Sequence, residues 1–242
     1  MLATGKDAIP LYMQIKELLI GKISNGEWMP GNVIPSEIAL SQELGVSQGT
    51  VRKAITDLVE TNVLRRKQGL GTFVSIHDTD RALFHFFHIV DEQGNKVLPE
   101  SQVLSCKRKP ASRQETAKLQ LESGADVVRI ERVRNLNSVP TIVEMISIPA
   151  GLFEGFEKTR TSELPNMLYE YYETRFGITI HSSAERLRAV NASKRDASLL
   201  DLAEAAPLLE IERVAQTLGK TPVELRVSRC NTLNHHYENT IF

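Results

Sequence analysis

An internal repeat in the second half of the chain constrains the fold more than any other feature of the sequence. Ala111-Ser112-Arg113 recurs 81 positions later, from 111 to 192, as Ala192-Ser193-Lys194. The same offset relates Ile130-Glu131-Arg132-Val133 to Ile211-Glu212-Arg213-Val214. The repeat predicts that one supersecondary unit occurs twice, with the same order of helices and strands in each copy.

Each copy is predicted to contain a helix followed by a β-hairpin. Ser112 precedes Glu115 by three positions, and Ser193 precedes Asp196 in the same way, which is the spacing of a helix capping box or its aspartate variant. Such a duplication predicts an α+β domain around a mostly antiparallel sheet. The predicted hairpins pair 127–136 with 141–148, turning at Asn137-Ser138, and 208–217 with 222–230, turning at Gly219-Lys220.

Residues 1–76 have another pattern, that of three short helices and a hairpin. Ser36 and Ser47 are each placed to cap a helix, and the tight turn Gly45-Val46 separates the second helix from the third. Strand-forming residues then flank a glycine-rich tip at Gly69-Leu70-Gly71. The inward face of the third helix consists of Val51, Ala54, Ile55 and Leu58. The sequence therefore predicts a winged helix-turn-helix domain at 1–76, a linker at 77–82 and the α+β domain at 83–242.

Charge and cysteine content limit the kinds of partner and compartment. The 29 Lys and Arg residues against 30 Asp and Glu residues leave a net charge of -1, so a polyanion must be bound by a local basic patch. Cys106 and Cys230 are too few for a disulfide framework, which favours two free thiols in a reducing compartment. There is no signal-peptide pattern, and no apolar stretch approaches the roughly 20 residues of a membrane span. These features predict a cytoplasmic protein.

The predicted third helix and hairpin contain residues suited to binding DNA. Gln48, Gly49 and Thr50 occupy the exposed first turn of the helix, and Arg52 projects from the same face. Recognition helices contact base edges in the major groove with residues in these positions. Five of the eight Lys and Arg residues of 1–76 fall within 52–67, so cations accompany this surface. The alternative is a solvated helix whose polar face has no function.

A series of short motifs runs through residues 10–74. They are Pro10-Leu11-Tyr12 with Gln14-Ile15, Gly26, Pro30-Gly31, Ile34-Pro35-Ser36-Glu37, Leu44-Gly45-Val46-Ser47, Thr50-Val51-Arg52 and Gly69-Leu70-Gly71-Thr72-Phe73-Val74. This segment resembles the DNA-binding domain of bacterial GntR-type transcription regulators. The rest of the chain resembles the UTRA effector-binding domain of the HutC branch, whose fold is shared with chorismate lyase. The resemblance implies a ligand-responsive regulator, commonly a repressor, that binds an inverted-repeat operator as a homodimer and responds to a small anionic metabolite.

The resemblance also implies which residues contact double-stranded DNA. Relatives often have arginines where Ile38 and Gln48 stand here, so the usual operator preference is not expected and other residues make more of the contacts. The implied DNA-binding residues are Ser36, Ser47, Gln48, Gly49, Thr50, Arg52, Lys53, Arg65, Arg66, Lys67, Gly69 and Gly71.

Two arginines on one predicted strand are the chemical peculiarity of the second domain. Strand alternation places Arg132 and Arg134 on the apolar face of 127–136, and the hairpin brings Glu144 opposite one of them. Charged side chains on an apolar face are costly unless they are paired or used. Two interpretations remain open: an internal ion pair at the edge of the sheet, or a site in which the guanidiniums bind a phosphate or carboxylate.

The family resemblance favours the second interpretation, because these residues commonly line the UTRA pocket. It adds a hydroxyl at the start of the next helix. The sequence predicts that helix from Ser162 to Phe176, and its N-terminus is suited to binding an anion. The implied effector-binding residues are Arg132, Arg134, Glu144, Thr161 or Ser162, and, further along the chain, Arg175 and Glu224.

Other chemistry has little support in the sequence. His85, His88 and the pair His235-His236 lack the further ligands and spacing of a metal site, and no cofactor motif occurs, so neither a metal nor a cofactor is predicted. One alternative function is a chorismate-lyase-like enzyme, since that fold needs little beyond arginines and a carboxylate in a pocket. Another is a DNA-binding module with a vestigial second domain.

Overall fold

The computed structural model describes residues 9–76 and 87–239, and the chain divides into two compact units, 1–76 and 77–242. Each unit is described by itself. The predicted linker 77–82 and His85, for which no metal-binding role is predicted, lie outside the described residues. Within the described ranges, no helix combines the length and the apolar character needed to cross a bilayer.

The N-terminal unit is a winged helix, as the sequence predicts. Ser36 Oγ accepts a hydrogen bond from the Ala39 amide and Ser47 Oγ accepts one from Thr50, so both predicted caps are confirmed. Gly45 ends the second helix in the left-handed conformation, with φ of 64°, where a Cβ would be strained. The predicted inward face of the third helix is buried. The elements are α1 (Leu11–Ser24), α2 (Glu37–Leu44), α3 (Gln48–Glu60), β1 (Leu64–Lys67) and β2 (Gly71–Val74).

The wing is an antiparallel hairpin held against the segment before α2. β1 and β2 pair from Leu64 opposite Val74 to Lys67 opposite Gly71. The Ile34 amide donates to the Thr72 carbonyl at 2.9 Å, which joins the hairpin to the chain entering α2. These contacts fix the base of the wing and leave its tip, residues 68–70, exposed.

The C-terminal unit is built on a six-stranded antiparallel sheet and a separate two-stranded pair, so the predicted α+β class is confirmed. The strands are β3 (Ile89–Asp91), β4 (Glu100–Pro110), β5 (Asp126–Leu136), β6 (Val139–Pro149), β7 (Ser182–Asn191), β8 (Pro207–Gln216), β9 (Pro222–Cys230) and β10 (His235–Tyr237). The large sheet has the order β4-β5-β6-β9-β8-β7, and β3 pairs with β10. The helices are α4 (Arg113–Leu119), α5 (Leu168–Phe176) and α6 (Lys194–Leu200).

The sequence repeat is visible as a twofold pattern in this sheet. The first copy is β4-α4-β5-β6 and the second is β7-α6-β8-β9, and their last strands, β6 and β9, pair at the centre. Both predicted capping boxes form. The helix of each copy forms hydrogen bonds to a strand of the other copy. Gln114 of α4 donates to Glu212 of β8 at 2.8 Å, and Arg195 of α6 donates to Glu131 of β5 at 2.7 Å. The two copies therefore stabilise each other across the sheet.

The opposite face of the sheet is covered by α5 and an aromatic cluster that contains Phe153, Phe156 and Tyr172. The predicted helix from Ser162 to Phe176 is wrong at its start. Residues Thr161–Glu163 form only a 3-10 turn, and α5 begins at Leu168. Pro165 explains the difference, because the residue before a proline is forced out of the helical region, and Leu164 has ψ of 124°.

Candidate functional site

The start of α3 is open to solvent. Gln48 and Gly49 are exposed, Thr50 is half-buried, and the Arg52 side chain is 60% exposed. Thr50 Oγ1 lies 2.9 Å from Ser47 Oγ, so this hydroxyl is held beside the helix cap. The structure thus brings the predicted α3 residues together on one accessible surface.

Glu37 joins this surface to the wing, and sequence reasoning missed it. Its Oε2 accepts from Arg52 Nε at 2.8 Å, and its Oε1 accepts from Arg66 Nη2 at 3.3 Å. Arg66 Nη2 also donates to Thr56 Oγ1 at 3.2 Å. One carboxylate therefore aligns an arginine of α3 with an arginine of β1. The motif that supplies the Ser36 cap contains Glu37, but only the pairing in space reveals its partners.

Replacing Glu37 with glutamine tests this alignment. The change removes a negative charge close to two cations, so binding to a scrambled duplex should strengthen, whereas discrimination in favour of the operator should fall because Arg52 and Arg66 lose their common anchor. The measurement is fluorescence anisotropy with operator and scrambled duplexes at one salt concentration. An unchanged ratio of the two affinities would show that Glu37 does not align the arginines.

Two lysines of the predicted DNA-binding set rest on aromatic rings. Lys53 Nζ lies 3.9 Å from the ring centroid of Tyr12 on α1, and Lys67 Nζ lies 5.2 Å from that of Phe73 on β2. Lys53 and Lys67 are both exposed to solvent, so the ammonium group that each ring contacts remains accessible.

A pocket opens on the face of the large sheet that carries the predicted arginines. Its volume of about 70 Å³ is several times the roughly 10–15 Å³ that one water needs. Arg132 is buried against it and donates from Nε to Glu144 Oε2 at 2.5 Å. The register places Arg132, rather than Arg134, directly opposite Glu144. The ion pair therefore exists, but its predicted location at the edge of the sheet is wrong, because β5 and β6 lie between β4 and β9.

Two further arginines line the pocket, and both are paired with carboxylates. Arg226 forms two hydrogen bonds of 2.9 Å to Glu224 and one of 3.4 Å to Glu144. Arg213 donates from Nε to Glu185 at 2.6 Å. Despite its burial, Glu144 has a pKa well below the usual range, because Arg132 and Arg226 favour the ionised form.

Arg134 differs from the other arginines of the pocket. It is 6% exposed, its Nε has no hydrogen-bond partner among the described residues, and no carboxylate there forms a salt bridge with it. Its Nη2 reaches Asn166 Oδ1 at 3.4 Å, and its guanidinium lies 5.5 Å from the ring centroid of Phe87. Burial and the charge of Arg132 lower the pKa of Arg134 to about 9, so the cation is retained at neutral pH in an unfavourable setting.

A helix N-terminus also faces the pocket, but it is not the predicted one. Leu168 and Tyr169, the first residues of α5, line the cavity, and Met167 caps the helix without a side-chain hydrogen bond. The amides of a first helical turn have no acceptor within the helix and favour an anion. The positive end of α5 therefore adds to the field of the arginines.

The other predicted effector-binding residues lie outside the lining of this pocket. Thr161 and Ser162 are exposed in the 3-10 turn that precedes Pro165, and Arg175 is exposed in the last turn of α5. Glu224 lies behind Arg226, where it also accepts from the hydroxyls of Tyr169 and Tyr172. It can position Arg226, but it does not line the cavity.

Neither a metal cluster nor a reactive thiol stands out in the described structure. Residues 9–76 and 87–239 contain no group of three or more His, Cys, Asp or Glu side chains placed to hold a metal ion. Cys106 and Cys230 are free, and burial raises the pKa of Cys106 to about 11.

Comparison with known proteins matches both units to families. The model for bacterial regulatory proteins of the gntR family matches residues 11–74, and the UTRA domain model matches residues 93–236. The chain is 30% identical over 217 residues to the HTH-type transcriptional repressor NagR of Bacillus subtilis, covering 89% of this chain and 88% of that protein. It is also 30% identical over 221 residues to the histidine utilization repressor of Pseudomonas putida, covering 90% and 87%.

Solved structures agree with the fold. The ligand-binding domain of a GntR-family regulator from Bordetella bronchiseptica superposes with a TM-score of 0.58 and 32% identity, covering 64% of this chain and 96% of that one. PhnF from Mycobacterium smegmatis gives a TM-score of 0.56 over 96% of this chain and 99% of its own, at 19% identity, which supports the fold alone.

Proposed function

This chain belongs to the HutC branch of the GntR family, whose members join a DNA-binding domain to a UTRA effector domain, and from that premise we propose that it is a metabolite-responsive repressor. The family is one of transcriptional regulators and not of enzymes, so the chorismate-lyase alternative is not pursued. Relatives such as NagR and the histidine utilization repressor are repressors by name, which supports the direction of control.

The proposed DNA-binding surface is the start of α3 together with the wing. In this proposal Gln48, Thr50 and Arg52 contact base edges and the cations of the wing contact phosphates, which is supported by the solvent exposure of the start of α3 and of the wing tip. One winged-helix domain makes few base contacts. We therefore infer that a homodimer, whose two DNA-binding domains occupy two inverted half-sites, is needed for high affinity toward one operator sequence. The other members of the proposed surface are Ser36, Ser47, Gly49, Lys53, Arg65, Arg66, Lys67, Gly69 and Gly71.

The proposed effector site is the pocket around Arg134. The observation that supports it is a buried guanidinium without a carboxylate partner in the described structure, next to the start of α5. Burying a charge in this way is unfavourable unless a ligand completes the pairing. A small anion provides that charge, and Arg132, Glu144 and Arg226 form the rigid network around it.

For the effector to control DNA binding, it must bind more tightly to the protein in one relative arrangement of the dimer's two DNA-binding domains than in another. Phe87 lines the pocket and is the first described residue after 77–86, the stretch that contains the proposed linker. A ligand at Arg134 would therefore contact the chain where it enters the effector unit. We infer that the ligand acts on the linker through this contact, since Phe87 follows the proposed linker 77–82 by five positions in the sequence.

Replacing Arg134 with glutamine tests the effector site. Sugar phosphates, amino-acid catabolites and dicarboxylates are first screened for a rise in melting temperature, and hits are assayed for release of operator DNA. The variant should lose about 10–100-fold in affinity for a hit, because one charge-assisted contact is removed. Its own melting temperature should not fall, since the lost charge had no carboxylate partner in the described structure.

Arg175→Gln is the matched control. It removes an arginine from the same unit, but from an exposed position outside the pocket lining, so the response to the same hit should be unchanged. Equal losses in the two variants would contradict the assignment of the pocket. A rise in melting temperature with none of the screened anions would contradict the proposed effector function.

A further inference from the structure

Apart from Arg134, whose Nε has no hydrogen-bond partner among the described residues, polar side chains of the pocket are engaged in hydrogen bonds within the protein. Glu144 accepts from Arg132, from Arg226 and from Ser228 Oγ at 3.2 Å. Asn166 accepts from Ser101 Oγ at 2.7 Å and donates to the Pro99 carbonyl at 2.7 Å. The rest of the lining is largely hydrocarbon, from Phe87, Leu98, Ile142, Met167, Leu168 and Ile211.

The charges of the pocket leave one positive charge for a ligand. Four guanidiniums, those of Arg132, Arg134, Arg213 and Arg226, line it. Three carboxylates of the described structure pair with them, from Glu144, Glu185 and Glu224. The difference is one positive charge, located at Arg134. A ligand with one negative charge balances the cluster, whereas a ligand with two leaves a buried negative charge that costs binding energy.

We propose that the effector is a monoanion with an apolar body, an organic carboxylate whose remainder is aliphatic or aromatic. This inference rests on the proposed function, since it names the ligand class of the same site. The carboxylate accepts from Arg134 Nε and lies at the positive end of α5, while its hydrocarbon part contacts the apolar wall. A hydroxyl-rich ligand is disfavoured, because its hydroxyls exchange hydrogen bonds with water for contact with hydrocarbon.

The test uses the whole 242-residue chain and measures binding by titration calorimetry and melting temperature. The probes are phenylacetate and hexanoate, their neutral amides phenylacetamide and hexanamide, and glucose 6-phosphate. We expect the carboxylates to bind about 10–100-fold more tightly than their amides, since only the charged group pairs with Arg134. We also expect glucose 6-phosphate to bind more weakly than either carboxylate. Arg134→Gln should remove the preference for acid over amide, and Arg175→Gln should retain it.

The possible outcomes separate this inference from the proposed function. Arg134-dependent binding of glucose 6-phosphate that exceeds binding of the carboxylates would overturn the inference and leave an anionic effector at this pocket. Equal affinity for acids and amides would overturn both. Absence of binding by both carboxylates up to about 10 mM, beyond which an affinity is negligible, would overturn the inference, and the broader anion screen then decides the proposed function.

Discussion

Replacing Glu144 with glutamine is expected to lower the free energy of unfolding of the C-terminal unit by about 3–5 kcal/mol, the cost of breaking a buried ion pair by removing one partner. Glu144 is 3% exposed and accepts from both Arg132 and Arg226, so its loss leaves two buried guanidiniums with less negative charge beside them. For a unit of this size the loss corresponds to a fall of roughly 6–20 °C in melting temperature, measured by calorimetry.

The difference between the wild-type protein and this variant should also depend on pH. The pKa of Glu144 in the folded chain lies well below the value near 4.3 of an unfolded glutamate, because Arg132 and Arg226 stabilise its charge. Its stabilisation is therefore fully present above about pH 4.3 and is lost as the pH falls toward the folded value. Stability curves of the two proteins should converge in acid.

Glu163→Gln is the control for this prediction. Glu163 pairs with Arg160 at 3.7 Å, but their side chains are 58% and 82% exposed, so the change should cost no more than about 1 kcal/mol. If the two variants were equally stable, the network around Glu144 would not be needed to hold the arginines of the pocket.

The elements that sequence predicts well are those set by contacts between near neighbours. The caps at Ser36 and Ser47 and the boxes at Ser112 and Ser193 depend on residues three positions apart, and all four form. The start of α5 fails for an equally local reason. Pro165 interrupts a segment whose composition otherwise favours a helix, because it forces Leu164 out of the helical region.

The candidate site is less predictable because strands distant in sequence build it. Hairpin register is only partly local here: the turn at Asn137-Ser138 alone would place Arg132 opposite Val143, and a register shift between Arg134 and Asn135 brings Glu144 opposite Arg132 instead. The pairing of β6 with β9 is not local, and it brings Arg226 to Glu144. The repeat contained an unused signal, because the 81-residue offset relates Arg132 to Arg213, a second arginine of the pocket.

Arg52→Ala is expected to weaken operator binding by about 2–6 kcal/mol, because a base contact is worth about 1–3 kcal/mol and a dimer loses one from each head. The guanidinium is exposed beside the first turn of α3 and is held by Glu37, so its removal should leave the fold intact. The measurement is anisotropy at fixed salt, with a duplex selected from a random pool by the wild-type protein. Lys16→Ala, which removes a cation of α1 paired with Asp57, is the control.

Comparison with Lys67→Ala distinguishes reading of bases from attraction to phosphates. Lys67 lies on the wing beside Phe73, and its loss should weaken binding to all sequences alike and reduce the salt dependence by about one unit per head. Arg52→Ala should instead lose most on the selected operator. If its losses were equal on operator and scrambled DNA, Arg52 would contact phosphate, and Gln48 and Thr50 would have to supply the base contacts. Unchanged affinity would contradict the assignment of Arg52 and the start of α3 to the DNA interface.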